Sequence, residues 1–141
     1  MEPKLQYITG LSYTTEKNKL VLITLLKKYG IRNVIVSPGA TNMTFVASLQ
    51  HDNFFKMYSC VDERAAAYMA IGIANETKQP VVLSCTGATS SRNYFPGLTE
   101  ANYRCVPILV VTSSLSTEFV GHDYPQVTDR EHAPFDMVKA T

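Results

Sequence analysis

Apolar positions along the chain alternate between a helical rhythm and short unbroken runs. Leu20, Ile23 and Leu26 recur at helical spacing among the solvated Lys17, Lys27 and Lys28, and Gly30 supplies a stop. A helix is therefore expected there, capped by Thr14 or Thr15 and favoured by Glu16 in its first turn. Asn33 to Ser37, with Val34-Ile35-Val36 at its centre, reads as a short buried strand that ends at Pro38-Gly39. Thr41 or Asn42 can cap a helix running to Leu49. A second strand is expected over Phe54 to Val61, followed at once by a small-residue helix from Glu63 to Glu76.

Pro80 to Cys85 is the third strand, opening onto Thr86-Gly87-Ala88-Thr89-Ser90-Ser91, which reads as a hydroxyl-rich loop. A helix from Arg92 to Arg104 follows, with Pro96 tolerated in its first turn, and Pro107 to Thr112 is the fourth strand. Residues 1–13 carry no period and read as an irregular lead-in. Beyond Thr112 the signal weakens, and Met137-Val138-Lys139-Ala140-Thr141 is a candidate start of a further strand. Strands apolar throughout and alternating with helices predict an α/β fold, a three-layer open parallel sheet with helices on both faces.

At 141 residues the chain is expected to be one domain, and ending inside a predicted element suggests a piece of something longer or one subunit of a split enzyme. A hydrophobic fraction of 45% is enough for a core. The net charge of +1 and the lack of a basic stripe argue against nucleic acid. Apolar runs fall short of the roughly 20 residues that span a bilayer, and the amino end lacks a signal peptide's apolar core. Cys60, Cys85 and Cys105 show no CxxC spacing, which favours buried, reduced thiols in a cytoplasmic protein over a disulfide frame or zinc site.

Three segments should meet at the carboxyl edge of such a sheet: Pro38 to Asn42, Asp62 to Arg64, and Thr86 to Ser91. Each follows a strand and opens a helix, whose free N–H groups suit a polar or anionic ligand. Gly39 and Gly87 would let backbone approach it closely. Neither G-x-G-x-x-G nor G-x-x-x-x-G-K-[ST] is present, and on spacing alone turn glycines and helix caps are the simpler account. Glu63 is either a reagent or a first-turn acid pairing with Arg64 or a lysine; Asp62 reads as the helix cap. His122 has the chemistry of an acid–base group, but a lone loop histidine is more often simply exposed, and His51 and His132 look like surface residues. Tyr94, Phe95 and Tyr103 read as core or interface.

Several stretches occur in a telling order: Val36-Ser37-Pro38-Gly39; Val61-Asp62-Glu63-Arg64-Ala65-Ala66; Cys85-Thr86-Gly87-Ala88 with Asn93, Pro96 and Gly97-Leu98-Thr99-Glu100-Ala101; Val106 to Thr112; and Gln126. From about Leu20 to Gln126 the chain resembles the amino-terminal, pyrimidine-binding domain of thiamine-diphosphate-dependent enzymes. Within them it is most similar to the acetolactate-synthase and 2-oxo-acid decarboxylase group and to the carboligating synthase of menaquinone biosynthesis. The resemblance implies that Glu63 hydrogen-bonds a ring nitrogen of the cofactor's aminopyrimidine and favours its imino tautomer, which takes the proton from the thiazolium carbon. Pro38, Gly39, Thr86, Gly87 and Asn93 are implied to line the cofactor, and Ala40, Thr41, His122 and Gln126 to approach the substrate.

The same resemblance implies a 2-oxo-acid substrate, and thiamine diphosphate clamped against a diphosphate-binding domain of the same or a partner chain. That domain would hold Mg²⁺ through a Gly-Asp-Gly motif that this sequence lacks. Alone, this domain is expected to bind cofactor poorly and catalyse nothing. Ala65, Ala66, Ala70 and Ala74 make the Glu63 helix thin, which suits close helix packing; the resemblance separately implies a homodimer or homotetramer, since family dimers bring this region against the partner. The menaquinone-pathway synthase holds substrate carboxylates with serine and arginine after Pro-Gly and a further arginine after the fourth strand. Ala40, Thr41 and Leu115 stand at those positions here, which speaks against that particular reaction. Arg64-Ala65 replaces the histidine pair that follows the glutamate in some decarboxylases. Two alternatives remain open: a separate small subunit of a two-chain decarboxylase, and a non-catalytic regulatory or assembly module.

Overall fold

A computed structural model describes residues 13–129 and 133–139 of the chain. Four parallel strands, β1 (Asn33–Val36), β2 (Lys56–Ser59), β3 (Val81–Cys85) and β4 (Ile108–Thr112), lie in the order β2-β1-β3-β4. α1 (Lys17–Lys28) and α2 (Met43–Gln50) cover one face; α3 (Glu63–Thr77), α4 (Ala88–Asn93) and α5 (Phe95–Tyr103) cover the other. Alternation along the strands divides the core. Val34, Val36 and Val82 meet Ile23, Leu26, Phe45 and Leu49, whereas Ile35, Val81, Leu83 and Cys85 meet the alanines of α3 together with Tyr94 and Leu98. The predicted three-layer α/β sheet is thus the one observed.

Strand order places the site. The chain leaves β1 toward β2 on one side, and leaves β3 toward β4 on the other. The switch point therefore lies between β1 and β3, where open α/β sheets keep a crevice at their carboxyl edge.

Local differences from the sequence reading have physical causes. α1 is capped neither by Thr14 nor by Thr15: Glu16 holds the N-cap position without a side-chain bond. Thr14 is instead buried, its N–H donating to Ser48 Oγ at 2.9 Å. Gly30 stops α1 as expected. With φ +71° it lets its own N–H reach Lys27 O and that of Ile31 reach Leu26 O, the paired bonds of a Schellman end. β2 is shorter than Phe54 to Val61, because Asp52 captures the Phe54 and Phe55 N–H groups in a turn before the strand begins.

The expected loop Thr86–Ser91 is helical from Ala88 onward, its Ser91 Oγ donating back to Ala88 O at 2.9 Å. The expected helix Arg92–Arg104 is split at Tyr94, because Pro96 has no N–H with which to continue the α4 ladder. No strand forms at Met137–Lys139: a turn closed by Met137 N–H on Pro134 O places Met137 in the core, and Ala140 and Thr141 lie outside the described residues. The lead-in, apart from Tyr13, and His132 also lie outside them. Cys85 is buried and Cys60 partly so, but Cys105 is exposed, contrary to the expectation for all three. Among the described residues no helix is long and apolar enough to cross a membrane.

Candidate functional site

The loop after β1 is held by a buried side chain. Asn42 is wholly enclosed; its Oδ1 accepts from Gly39 N–H at 3.0 Å, and its Nδ2 donates to Ser37 O at 3.1 Å and Ser84 Oγ at 3.4 Å. It occupies the N-cap position of α2 but caps nothing with its side chain. These bonds tie Pro38-Gly39 to the end of β3. A Cβ built on Gly39 would collide with the Thr86 side chain, so the loops after β1 and β3 touch at the switch point. Sequence reasoning treated Asn42 only as a cap; its place three residues after Gly39 was the available signal.

Gly87, at φ +32°, turns the chain from β3 into α4, and Gln126 Oε1 lies 3.5 Å from where its Cβ would stand. Gln126 itself holds φ +64°, a left-handed conformation uncommon for a residue with a side chain. Thr41 Oγ1 donates to Ser113 O at 3.2 Å, joining the loop after β1 to the chain after β4. Ala40 is exposed.

Glu63 opens α3. Asp62 caps that helix, its Oδ1 accepting from Ala65 N–H at 2.7 Å, as the sequence suggested. Glu63 is half-buried as a residue, and at its exposed end Oε2 accepts from Asn93 Nδ2 at 3.0 Å across the mouth formed with α4. It makes no ion pair with Arg64, a lysine or any other described residue. The expected pairing with Arg64 or a lysine is therefore not formed, and the Glu63–Asn93 bond lies open to solvent. Two residues thirty positions apart have been brought together by packing α4 against the start of α3.

Behind this pair Tyr94 is wholly buried, and its hydroxyl meets no hydrogen-bond geometry with any described residue. An unpaired buried hydroxyl costs on the order of 1–3 kcal/mol, so it stands out in an otherwise satisfied interior. Burial pushes the phenol well above its ordinary range and the neighbouring Cys85 thiol pushes the same way, against a lowering by Ser37, with the Glu63 carboxylate adding the smallest upward push.

The remaining candidates lie apart. His122 sits on an exposed turn, its side chain bonded to no described residue, and His51 is exposed at the end of α2. Tyr103 is 80% exposed. No cluster of metal-ligating side chains occurs among the described residues. A concavity of about 740 Å³ opens away from Glu63, between α5, the free edge of β4 and the 133–139 segment. Its lining is largely apolar (Phe95, Leu98, Ile108, Met137) and it contains none of the groups described above.

Over residues 18–133 the chain matches the family model for the thiamine pyrophosphate enzyme, N-terminal TPP binding domain. It is 38% identical over 118 residues to the 2-succinyl-5-enolpyruvyl-6-hydroxy-3-cyclohexene-1-carboxylate synthase of Lysinibacillus sphaericus, covering 84% of this chain and 21% of that one. To the synthase of the same name from Porphyromonas gingivalis it is 34% identical over 128 residues, covering 91% and 22%. Among solved structures, the thiamine diphosphate-dependent 4-hydroxybenzoylformate decarboxylase of Rhodococcus jostii RHA1 superposes with a TM-score of 0.71 at 22% identity, over 79% of this chain and 21% of that chain. Benzoylformate decarboxylase from Polynucleobacter necessarius gives 0.68 at 19%, over 77% and 20%. These two likenesses bear on the fold. The chain spans about a fifth of the length of the curated relatives it matches.

Proposed function

The chain belongs to the thiamine pyrophosphate enzymes, as their N-terminal TPP-binding domain, and on that premise we propose that it forms the pyrimidine-binding half of an enzyme that decarboxylates a 2-oxo acid and joins the remaining acyl unit to an acceptor. The observation that carries this reading is the hydrogen bond from Asn93 to a half-buried Glu63 with no cationic partner, beside the switch-point crevice. A carboxylate so placed has an oxygen free to share a proton with a ring nitrogen, and its neutral amide partner fixes its orientation without neutralising it.

The residues fit the cofactor. Glu63 and Asn93 offer the acid–amide pair for the aminopyrimidine, and the close-packed Gly39 and Thr86, with Pro38 and Gly87 next to them in the chain, would line the cofactor beside it. When bound, thiamine diphosphate supplies the electron sink for the 2-oxo acid. Glu63 holds and returns the proton at the ring nitrogen, Asn42 keeps the Gly39 backbone in place, and Gln126 reaches over Gly87 toward the substrate side. Mg²⁺ and the diphosphate fall to a second domain, of the same chain or a partner.

Outward on α3, Tyr68 and Met69 are exposed and Gly72 meets nothing within 4 Å, a thin apolar face suited to a second copy of the chain. On the substrate side Thr41 gives its hydroxyl to Ser113 O, and Ala40 has none to give. The substrate is accordingly a 2-oxo acid not gripped by an arginine fork from this domain, unlike the dicarboxylate-holding relatives.

The test is Glu63→Gln in the complete enzyme. Turnover should fall about 10²- to 10⁴-fold while the melting temperature stays put. Activity near that of the parent protein would overturn the reading and point to a non-catalytic module.

A further inference from the structure

One enclosed set of polar groups joins the ends of β1, β2 and β3. At its centre Asn42 is wholly buried and uses both ends of its amide. Its Oδ1 accepts from Gly39 N–H at 3.0 Å, and its Nδ2 donates to Ser37 O at 3.1 Å and to Ser84 Oγ at 3.4 Å. Ser37 extends the set: its Oγ donates to Cys60 O at 2.8 Å, and its N–H donates to Ser84 O at 2.8 Å. Ser37 and Ser84 are themselves buried.

The site hangs from this node. Gly39 follows Ser37 by two residues, Thr86 follows Ser84 by two, and Glu63 follows Cys60 by three. Gly39 and Thr86 then pack directly on each other. Helix capping does not account for the asparagine, because its side chain stands at the N-cap of α2 yet bonds no N–H of that helix. It is turned back onto the loop before it. A short amide can accept from one N–H while donating to two oxygens; a carboxylate lacks the donors and a methyl lacks both functions.

We propose that Asn42 is a positioning residue for the crevice as a whole. Through Gly39 N–H, Ser37 O and Ser84 Oγ it fixes the spacing of the loops that carry Gly39, Thr86 and Glu63, and with it the fit of the cofactor's aminopyrimidine among them. This rests on the function proposed above. Every bond involved is present in the fold without ligand, so the crevice is held ready and the cofactor need not order it. Without the amide, a buried N–H and a buried carbonyl lose their partner, and the loop after β1 can satisfy them only by moving.

The test compares Asn42→Ala with Ser48→Ala in the complete enzyme. Ser48 is equally buried on α2, where its Oγ accepts from Thr14 N–H at 2.9 Å and donates to Thr44 O at 2.7 Å, away from the crevice. Both changes should lower the melting temperature. Asn42→Ala alone should also raise the dissociation constant for thiamine diphosphate with Mg²⁺ about tenfold, and lower turnover at saturating cofactor about tenfold. Ser48→Ala should leave both at the parent's values. If Asn42→Ala does not fold, Ser84→Ala serves in its place: it removes the longest of the three bonds and should raise the dissociation constant about threefold. A crevice variant that melts early yet binds and turns over like Ser48→Ala would make the node a matter of stability alone and overturn the proposal. If the parent enzyme binds no thiamine diphosphate, the functional reading fails and takes this proposal with it. If Glu63→Gln loses turnover while Asn42→Ala keeps it, only the role of Asn42 fails.

Discussion

On one face of the sheet Phe45, Phe55, Ile23, Leu26 and Leu49 fill the space beneath α1 and α2 with large side chains. On the other, α3 turns Ala66, Ala67, Ala70 and Ala74 toward the strands, and Gly97 of α5 lies so close to Ala67 that a Cβ there would collide with it. The first face removes much apolar area from water per residue; the second brings backbones together. The second carries the Glu63–Asn93 pair, while the loop after β1, with Gly39 and Asn42, enters α2 on the first. Close approach of α5 to α3 sets where α4 ends, and hence where Asn93 meets Glu63. The bulky face supplies stability, and the thin face supplies placement.

This division can be broken most directly from the bulky side. Phe45 is 1% exposed, and Phe45→Ala should cost about 3–5 kcal/mol in denaturant unfolding. Its effect on cofactor affinity, measured well below the melting point, should stay within about twofold, because RT ln 2 is small beside that loss. If affinity collapses along with stability, the two faces are not separable. From the thin side, Gly97→Ala should cost about 1–3 kcal/mol by overpacking, less than the first change, yet weaken cofactor binding more. Adding Ala67→Gly should recover part of both losses, since it removes the colliding methyl.

The bulk of the fold was legible because strand interiors such as Val34-Ile35-Val36 and Val81-Val82-Leu83 are apolar on both faces and punctuated by Pro and Gly. Asp62 as a cap and Glu63 beside the crevice were legible for the same local reasons. What was not legible depends on tertiary packing. Thr86–Ser91 reads as a loop from its hydroxyls, yet its later part is helical because Ala88 is buried and Ser91 folds back onto it. Asn42 offers the sequence reader only a cap, while its real partners, Gly39, Ser37 and Ser84, include one more than forty residues away. Gln126 entered from resemblance alone, as a residue near cofactor or substrate, and its place beside Gly87 has no sequence signal, since no period runs through that stretch. The unpaired oxygen of Tyr94 has no signature in sequence at all.

The smallest expected effect belongs to the one ion pair that ties helix α1 to the chain after α2. Lys27 Nζ lies 2.7 Å from Asp52 Oδ2, and Asp52 Oδ1 also accepts from Phe54 N–H at 3.0 Å. The lysine hydrogen bond, with help from the Phe54 N–H, holds the Asp52 carboxyl below the usual aspartate range, and the same bond holds the Lys27 ammonium above its own. The signs follow from linkage. The Asp52 contribution is fully present above the ordinary aspartate value and is lost as pH falls through the lowered one; the Lys27 contribution is fully present below the ordinary lysine value and is lost as pH rises through the raised one. Between about pH 5 and 9 the pair is therefore constant. Lys27 is well exposed, so screening keeps its worth small. Asp52→Asn should lower the neutral-pH melting temperature by no more than about two degrees, a gap that closes in acid and shrinks in high salt. A gap that persists below the lowered Asp52 range would assign it to the Phe54 turn, where the asparagine oxygen is the poorer acceptor, and not to the ion pair. Cofactor affinity should not respond to this change in either case, because Glu63 is oriented by a neutral amide on the opposite face of the sheet.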